Sequence, residues 1–346
     1  MSTLFSHFFE KINQISPLEY DFTEVLSTIA LTPKTLYFYG KMPENMVKTP
    51  KPTKSKQHKS SPKSSTKNRT ERPKVVAIVG ARHNTRYGEE VAYKMAYELA
   101  KKGVIIVSGL AYGIDSIAHR GCLDAGGTTV AILGTPIDHI YPTRHKPLAR
   151  EIIEKGGTVI SEYAPRNTSK KAPLAPGEYI DKLTGERQIE PRVSFLHRNR
   201  LISGLADIVV VVEAAEKSGS LNTAAHALEQ GKEVFAVPGN ITSPYSQGCN
   251  KLIRQGANPY TEPDDLLRLL FPEDYIKKRK KSAQMLLFGD TDAETAILQA
   301  LASGVQNGED IMRVANLSVP EFNETTTLLE IKGQIRSLGT NNWSLN

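Results

Sequence analysis

The sequence predicts an α/β domain with a doubly wound, mostly parallel sheet, followed by a small helical domain closed by a hairpin. Three observations carry this. Short, continuous, Val- and Ile-rich runs recur between Lys74 and Val237, without the alternation of a sheet that has one wet face. Segments of helical periodicity separate them through short connections, which calls for right-handed crossovers with helices on both faces. From residue 291 on the pattern changes to three helical stretches and a terminal pair of short strands.

In chain order, residues 1–46 form a short segment ending in Thr35-Leu-Tyr-Phe-Tyr-Gly, a strand candidate. It holds too little apolar surface to fold alone and is expected to pack on the core that follows. Residues 47–73 are rich in Lys, Ser, Thr and Pro, the composition of a disordered linker. The α/β domain spans 74–272. Its expected strands are Val75–Val79, Val104–Val107, Thr129–Leu133, Thr158–Ser161, Asp207–Val212 and Glu233–Val237. Its expected helices are Glu89–Lys101, Ile114–Ala125, Lys146–Lys155, His197–Gly204 and Leu221–Gln230. Pro165–Ser194 breaks this rhythm with four prolines and no periodic apolar face, as a long functional or disordered loop would. A helix over Asp264–Phe271 gives way to a second basic linker, 273–290. In residues 291–346, helices over Glu294–Ala302, Asp310–Asn316 and Val319–Ile331 precede a hairpin around Gly339-Thr-Asn-Asn, the pattern of a winged helix-turn-helix domain. Such domains take DNA or protein, and this third helix has few basic residues.

With 39% hydrophobic and 23% charged residues the chain is that of a soluble globular protein. No apolar run approaches the ~18 residues of a membrane span, and the start lacks the pattern of a signal peptide. Cys122 and Cys249 have neither a CxxC partner nor a His cluster, so they are expected as buried thiols in a cytoplasmic protein without a bound metal. The net charge of +7 invites a nucleic-acid reading, but its distribution qualifies it. The stretch Val47–Lys74 carries ten basic residues against Glu71 alone, leaving a slightly acidic remainder. A nucleic-acid site in the folded part must therefore be a local cluster.

Four turns after strands supply such a cluster. The first, Gly80-Ala-Arg-His-Asn-Thr-Arg-Tyr-Gly, is not GxGxxG, yet Arg82 and Arg86 suit phosphate. The second, Val107-Ser-Gly-Leu-Ala-Tyr-Gly-Ile-Asp, brackets Ser108, Gly109, Tyr112 and Gly113 ahead of a helix start that favours anions. The third, Phe195-Leu-His-Arg-Asn-Arg, offers an aromatic face in Phe195 and planar forks in Arg198 and Arg200 around Asn199. Salt bridges on a helix face are the alternative for these arginines. The fourth, Ser218-Gly-Ser-Leu-Asn-Thr, places Ser218, Gly219 and Ser220 at a helix N-terminus, as an anion nest or as a simple cap. Neither a P-loop nor a dinucleotide fingerprint is present, so no cofactor is expected. All four turns lie at carboxyl ends of strands in one sheet and so face one crevice.

Val-Ala-Ile-Val-Gly-Ala-Arg, Ser-Gly-Leu-Ala-Tyr-Gly-Ile-Asp-Ser-Ile-Ala-His, Tyr141-Pro142, Ser161-Glu162, Arg-Asn-Arg-Leu-Ile-Ser-Gly-Leu-Ala-Asp, Val-Glu-Ala…Ser-Gly-Ser and Val237-Pro238-Gly239 occur in this order. Together they resemble the DNA-processing protein A (DprA, Smf) family over residues 74–260. The resemblance implies an extended Rossmann-like fold, single-stranded DNA binding, a homodimer and delivery of the strand to the RecA recombinase in transformation or recombination. By position it places Arg82, Ser108, Gly109, Arg198, Asn199, Arg200, Ser218 and Gly219 in the strand-binding pocket. The chain departs from the family in having Tyr112 where a basic residue is common, and Leu196 where Pro is common after Phe195. It also has a longer segment before Phe195. With no triad, paired carboxylates or metal cluster at useful spacing, the leading expectation is a binding protein, not an enzyme. Two alternatives stand beside it: a phosphoribohydrolase-like nucleotide-processing enzyme, whose usual Pro-Gly-Gly-x-Gly-Thr is absent, and a scaffold that has lost DNA binding.

Overall fold

The computed structural model describes residues 11–43, 72–166, 174–180, 187–273 and 288–345. It divides into two compact units, Met1–Leu270 and Phe271–Asn346. The expected linkers fall largely outside the described residues.

In the first unit the sheet-forming strands are β1 (Asn13–Ile15), β2 (Leu36–Gly40), β3 (Val75–Val79), β4 (Ile105–Ser108), β5 (Thr129–Leu133) and β6 (Thr158–Ser161). They continue, after the hairpin strands β7 (Glu178–Ile180) and β8 (Arg187–Ile189), with β9 (Ile208–Val211), β10 (Glu233–Ala236) and β11 (Asn258–Pro259). The sheet order is β1-β2-β6-β5-β4-β3-β9-β10-β11. From β6 to β11 every pair is parallel, while β2 joins β6 antiparallel. The chain winds outward from β3 to β6, then returns to the other side of β3 at β9, which makes an extended Rossmann-like, doubly wound fold.

The helices are α1 (Asp21–Glu24), α2 (Arg86–Lys101), α3 (Ile114–Asp124), α4 (Lys146–Glu154), α5 (Pro191–Leu205), α6 (Ser220–Glu229), α7 (Gln247–Arg254) and α8 (Pro263–Leu270). The central strands β3, β4, β5, β6 and β9 are buried on both faces, which is why their sequences are continuous apolar runs. Val75, Ala77 and Val79 pack in one core with Leu201, Ile202 and Leu205 of α5 and Ala224 and Ala227 of α6. Phe22, Leu26 and Leu36 of the N-terminal segment belong to that same core. On the far side, Ala131, Leu133 and Val159 pack with Leu123 and with Leu148, Ala149 and Ile152 of α4. Cys122 and Cys249 are buried free thiols, each pushed up to about 12 by burial.

Two expectations are corrected. Helix α5 begins at Pro191, not near His197, because proline is tolerated in the first turn, where its missing N–H costs nothing. The 165–194 stretch is not wholly irregular: β7 and β8 pair antiparallel, with Tyr179 opposite Gln188. These strands of three residues are too short to show periodicity.

The second unit contains α9 (Asp292–Ala302), α10 (Gly308–Ala315), α11 (Val319–Ile331) and the antiparallel pair β12 (Ile335–Gly339) and β13 (Asn342–Leu345). Ile297, Leu298, Leu301, Ile311, Phe322, Leu329 and Ile335 form its own core. A capping box between Ser318 and Glu321 opens α11, and Asn316 with φ +52° closes α10.

Candidate nucleic-acid interface

The ends of β3, β4 and β9 open at the point where the strand order reverses, the usual location of ligand crevices in doubly wound sheets. A cavity of about 240 Å³ lies there, lined by residues from the turns after β3, β4 and β9 and by α5.

Two glycines let these turns meet. Gly113, at φ +73°, lies so close to the first turn that a Cβ would sit 2.3 Å from the Ala81 carbonyl oxygen. The Ile114 N–H donates to that same oxygen, at 3.2 Å, and ties the two turns together. A Cβ on Gly109 would sit 2.7 Å from both Arg198 Nη1 and Asp115 Oδ2. Between them Leu110 holds φ +58°, a left-handed conformation that a branched residue rarely adopts.

Arg198 is buried at the base of this crevice. Its Nη1 donates to the carbonyl oxygens of Gly109, at 2.8 Å, and Ile132. Burial pulls its pKa down to about 10, with Asp115 opposing the shift. Asp115 is raised by burial, offset by Arg198 and by the N–H groups of Ala111 and Gly109. Those N–H groups donate to Oδ2 at 3.4 and 3.0 Å. The pair thus fixes the Gly109–Ala111 turn, and the Asp115 carboxylate is committed to it.

Above Arg198 lies an aromatic rim. The Phe195 ring has Arg82 over it at 5.7 Å and Arg198 at 5.8 Å. Tyr141 lies 5.6 Å from Phe195, centroid to centroid, and Tyr112 stands edge-on to His145 at 5.0 Å. Arg82 is exposed, and Tyr112 and Tyr141 are 41% and 43% exposed, so both the cation and the rings are open to a ligand. Glu213 holds Arg82's turn from behind by accepting from the Thr85 N–H at 2.8 Å and the Thr85 hydroxyl at 2.6 Å.

The opposite wall joins α5 to α6. Asn199 Nδ2 donates to the Gly219 carbonyl at 3.2 Å and to Asn222 Oδ1 at 3.1 Å. Gly219 occupies the N-cap of α6 without a side-chain cap, and the Ser218 and Ser220 hydroxyls pair at 2.8 Å. Ser220 is therefore not the cap, and the start of α6 faces the cavity.

The family model for DNA recombination-mediator protein A matches residues 65–175 and 179–271. The chain belongs to this family. It is 44% identical over 195 residues to Protein Smf of Escherichia coli (strain K12), covering 56% of this chain and 46% of that protein. It is 40% identical over 202 residues to the DNA processing protein DprA of Bacillus subtilis (strain 168), covering 58% and 60%. The chain thus spans about half the length of the curated relatives it matches. Among solved structures it resembles the X-ray structure of DprA from Streptococcus pneumoniae, with TM-score 0.55, 34% identity and 75% of each chain covered. DprA from Helicobacter pylori, described for its unique single-stranded DNA binding mode, gives TM-score 0.54 and 27% identity over 77% of this chain and 98% of that one.

The fold brings most of the expected site residues of this family member together. Gly80, Arg82, Phe195, Arg198, Asn199, Ser218, Gly219 and Ser220 line the cavity. Gly109 and Tyr112 line a smaller niche beside it, shared with Arg82, Phe195 and Arg198. Gly113 braces the turns, and Ser108 is buried beneath them with its hydroxyl donating to the Ile78 carbonyl at 2.6 Å. Arg86 starts α2 as an exposed residue outside both linings. Arg200 is not in the crevice: it is buried against Glu162, as the salt-bridge alternative has it. Tyr141 and Thr223 line the niche and the cavity respectively without having been singled out as site residues. For Tyr141 the Tyr-Pro pair within the family resemblance was the available signal.

Proposed function

We propose that this crevice binds single-stranded DNA, with Arg82 and the start of α6 holding phosphate and the Phe195 rim receiving a base. The observation that carries it is the exposed Arg82 guanidinium over Phe195, beside Tyr141 and Tyr112. A cation beside an open aromatic face suits a phosphate and its unstacked base, and only a single strand offers a free base face. Asp115 Oδ2 braces the turn by accepting from the Gly109 and Ala111 N–H groups, a structural task that favours binding over acid–base chemistry. The description of the Helicobacter pylori protein supports the single strand as ligand. The family's description as a recombination mediator supports a role for that strand in recombination; delivery of it to the RecA recombinase by a homodimer, in transformation or recombination, is the further part of this proposal. Tyr112 then replaces a phosphate contact with stacking, so Tyr112→Ala weakens binding.

Titration of the full chain with single- and double-stranded oligonucleotides at several salt concentrations tests the proposal. A clear single-strand preference with a salt-dependent affinity is expected. Equal affinity for both, or none for either, overturns it.

A further inference from the structure

The crevice depends on a helix whose orientation is set from its other side. Helix α5 carries Phe195, Arg198 and Asn199 toward the cavity, and Arg200 leaves the helix about 200° around from Arg198. Two residues so related on one helix do not share a face. Arg200 instead enters a separate cavity lined by Leu31, Tyr37, Glu162, Ala164 and Pro176.

There its guanidinium is almost fully committed. Nη1 and Nη2 donate to Glu162 Oε1 and Oε2 at 2.9 and 2.7 Å, a bidentate pair with side chains only 4% and 3% exposed. Nε donates to the Leu31 carbonyl at 3.0 Å, and Nη1 also donates to the His197 carbonyl at 3.0 Å. The Arg200 carbonyl accepts from Gln230 Nε2, at the end of α6, at 3.0 Å. One residue therefore ties α5 to the end of β6, to the N-terminal segment and to the end of α6.

We infer that Arg200 is a positioning residue, not a phosphate ligand: its pair with Glu162 sets the rotation of α5 that aims Phe195, Arg198 and Asn199 into the crevice. This rests on the single-strand reading of the crevice. Lysine cannot replace the arginine, because an ammonium has no fork for both carboxylate oxygens.

The test compares oligothymidylate affinity against salt for the wild-type chain, Arg82→Ala, Arg200→Met, Glu162→Gln and the double variant Arg200→Met/Glu162→Met, with thermal melts of each. Arg82→Ala removes a phosphate contact and should flatten the slope of log K against log salt by about 0.7. Arg200→Met and Glu162→Gln should each weaken binding by about tenfold with the wild-type slope, because each leaves a buried charge unpaired. The double variant removes both charges and should recover affinity to within about threefold of wild type. A flattened slope for Arg200→Met overturns the inference, as does a double variant that folds but does not recover. If the wild-type chain binds no oligothymidylate, the reading of the crevice fails first and takes the inference with it.

Discussion

Acidification should destabilise the α/β unit through His119, a fully buried residue of α3. The Thr129 hydroxyl donates to the Ile106 carbonyl at 2.8 Å, so its oxygen is free to accept from His119 Nδ1 at 2.7 Å. This fixes the neutral tautomer with its proton on Nδ1. The other nitrogen, Nε2, is buried with no hydrogen-bond partner among the described residues. A proton added there would create a buried cation facing no acceptor. Burial accordingly pushes His119 down to about 3, with His145 and Arg198 adding to the shift. The folded value is depressed below the ordinary 6.5, so the unfolded chain binds this proton first as pH falls. Stability from this group is intact above about pH 6.5 and is lost progressively down to about pH 3. At about pH 5 the loss is on the order of 2 kcal/mol, from 1.36 kcal/mol per pH unit of differential protonation. Urea unfolding of wild type and His119→Gln at ~pH 7.5 and ~pH 5 measures it. His139 and His197 are also shifted down by burial, so the informative quantity is the difference between the two proteins. Wild type should lose about 2 kcal/mol more than the variant on acidification. Equal losses would refute the assignment to His119.

Three further outcomes follow from the site. Gly113→Ala should lower stability by about 1–3 kcal/mol for a backbone at φ +73° and ψ −128° that glycine alone adopts freely, and more for the Cβ pressed on the Ala81 carbonyl. Denaturant titration reads this, and oligothymidylate affinity should fall with it. Glu213→Gln removes a negative charge near the crevice, which alone would favour DNA. Because the carboxylate anchors Thr85 twice, weaker binding is expected instead, with a stability loss of about 1–3 kcal/mol. Removing residues 288–346 should leave single-strand affinity within about twofold. Helix α11 carries Glu321, Glu324 and Glu330 and no Lys or Arg, and Lys332 is paired with Asp290 and Glu294. A large loss of affinity in fluorescence titrations would show that this unit touches DNA.

Most of the fold was legible because the sheet is covered on both faces. That burial demands continuous apolar strands such as Val75–Val79 and Ile208–Val211, and these stand out in any sequence. The crevice was legible for a related reason: close approach requires glycine at Gly109 and Gly113, and the turns carrying them follow recognisable strands. What the sequence hid depended on distant partners. Nothing near Arg200 announces Glu162, 38 residues away in the chain, although the helical spacing of Arg198 and Arg200 already set them on different faces. The start of α5 was hidden because Pro191 reads equally as the end of a loop. Tyr141 reaches Phe195 only through tertiary packing, so the Tyr141-Pro142 pair marked the segment without announcing an aromatic rim.

The central claim is that a base of single-stranded DNA sits on the aromatic rim beside Arg82. Photocross-linking of the full chain to an oligonucleotide of 5-iododeoxyuridine, read by mass spectrometry of the joined peptides, tests it directly. Cross-links at Phe195, Tyr141 or Tyr112, lost on competition with unmodified oligothymidylate, are the expected result. Cross-links confined to the basic stretch Val47–Lys74 or to residues 288–346, with none on the rim, would contradict it.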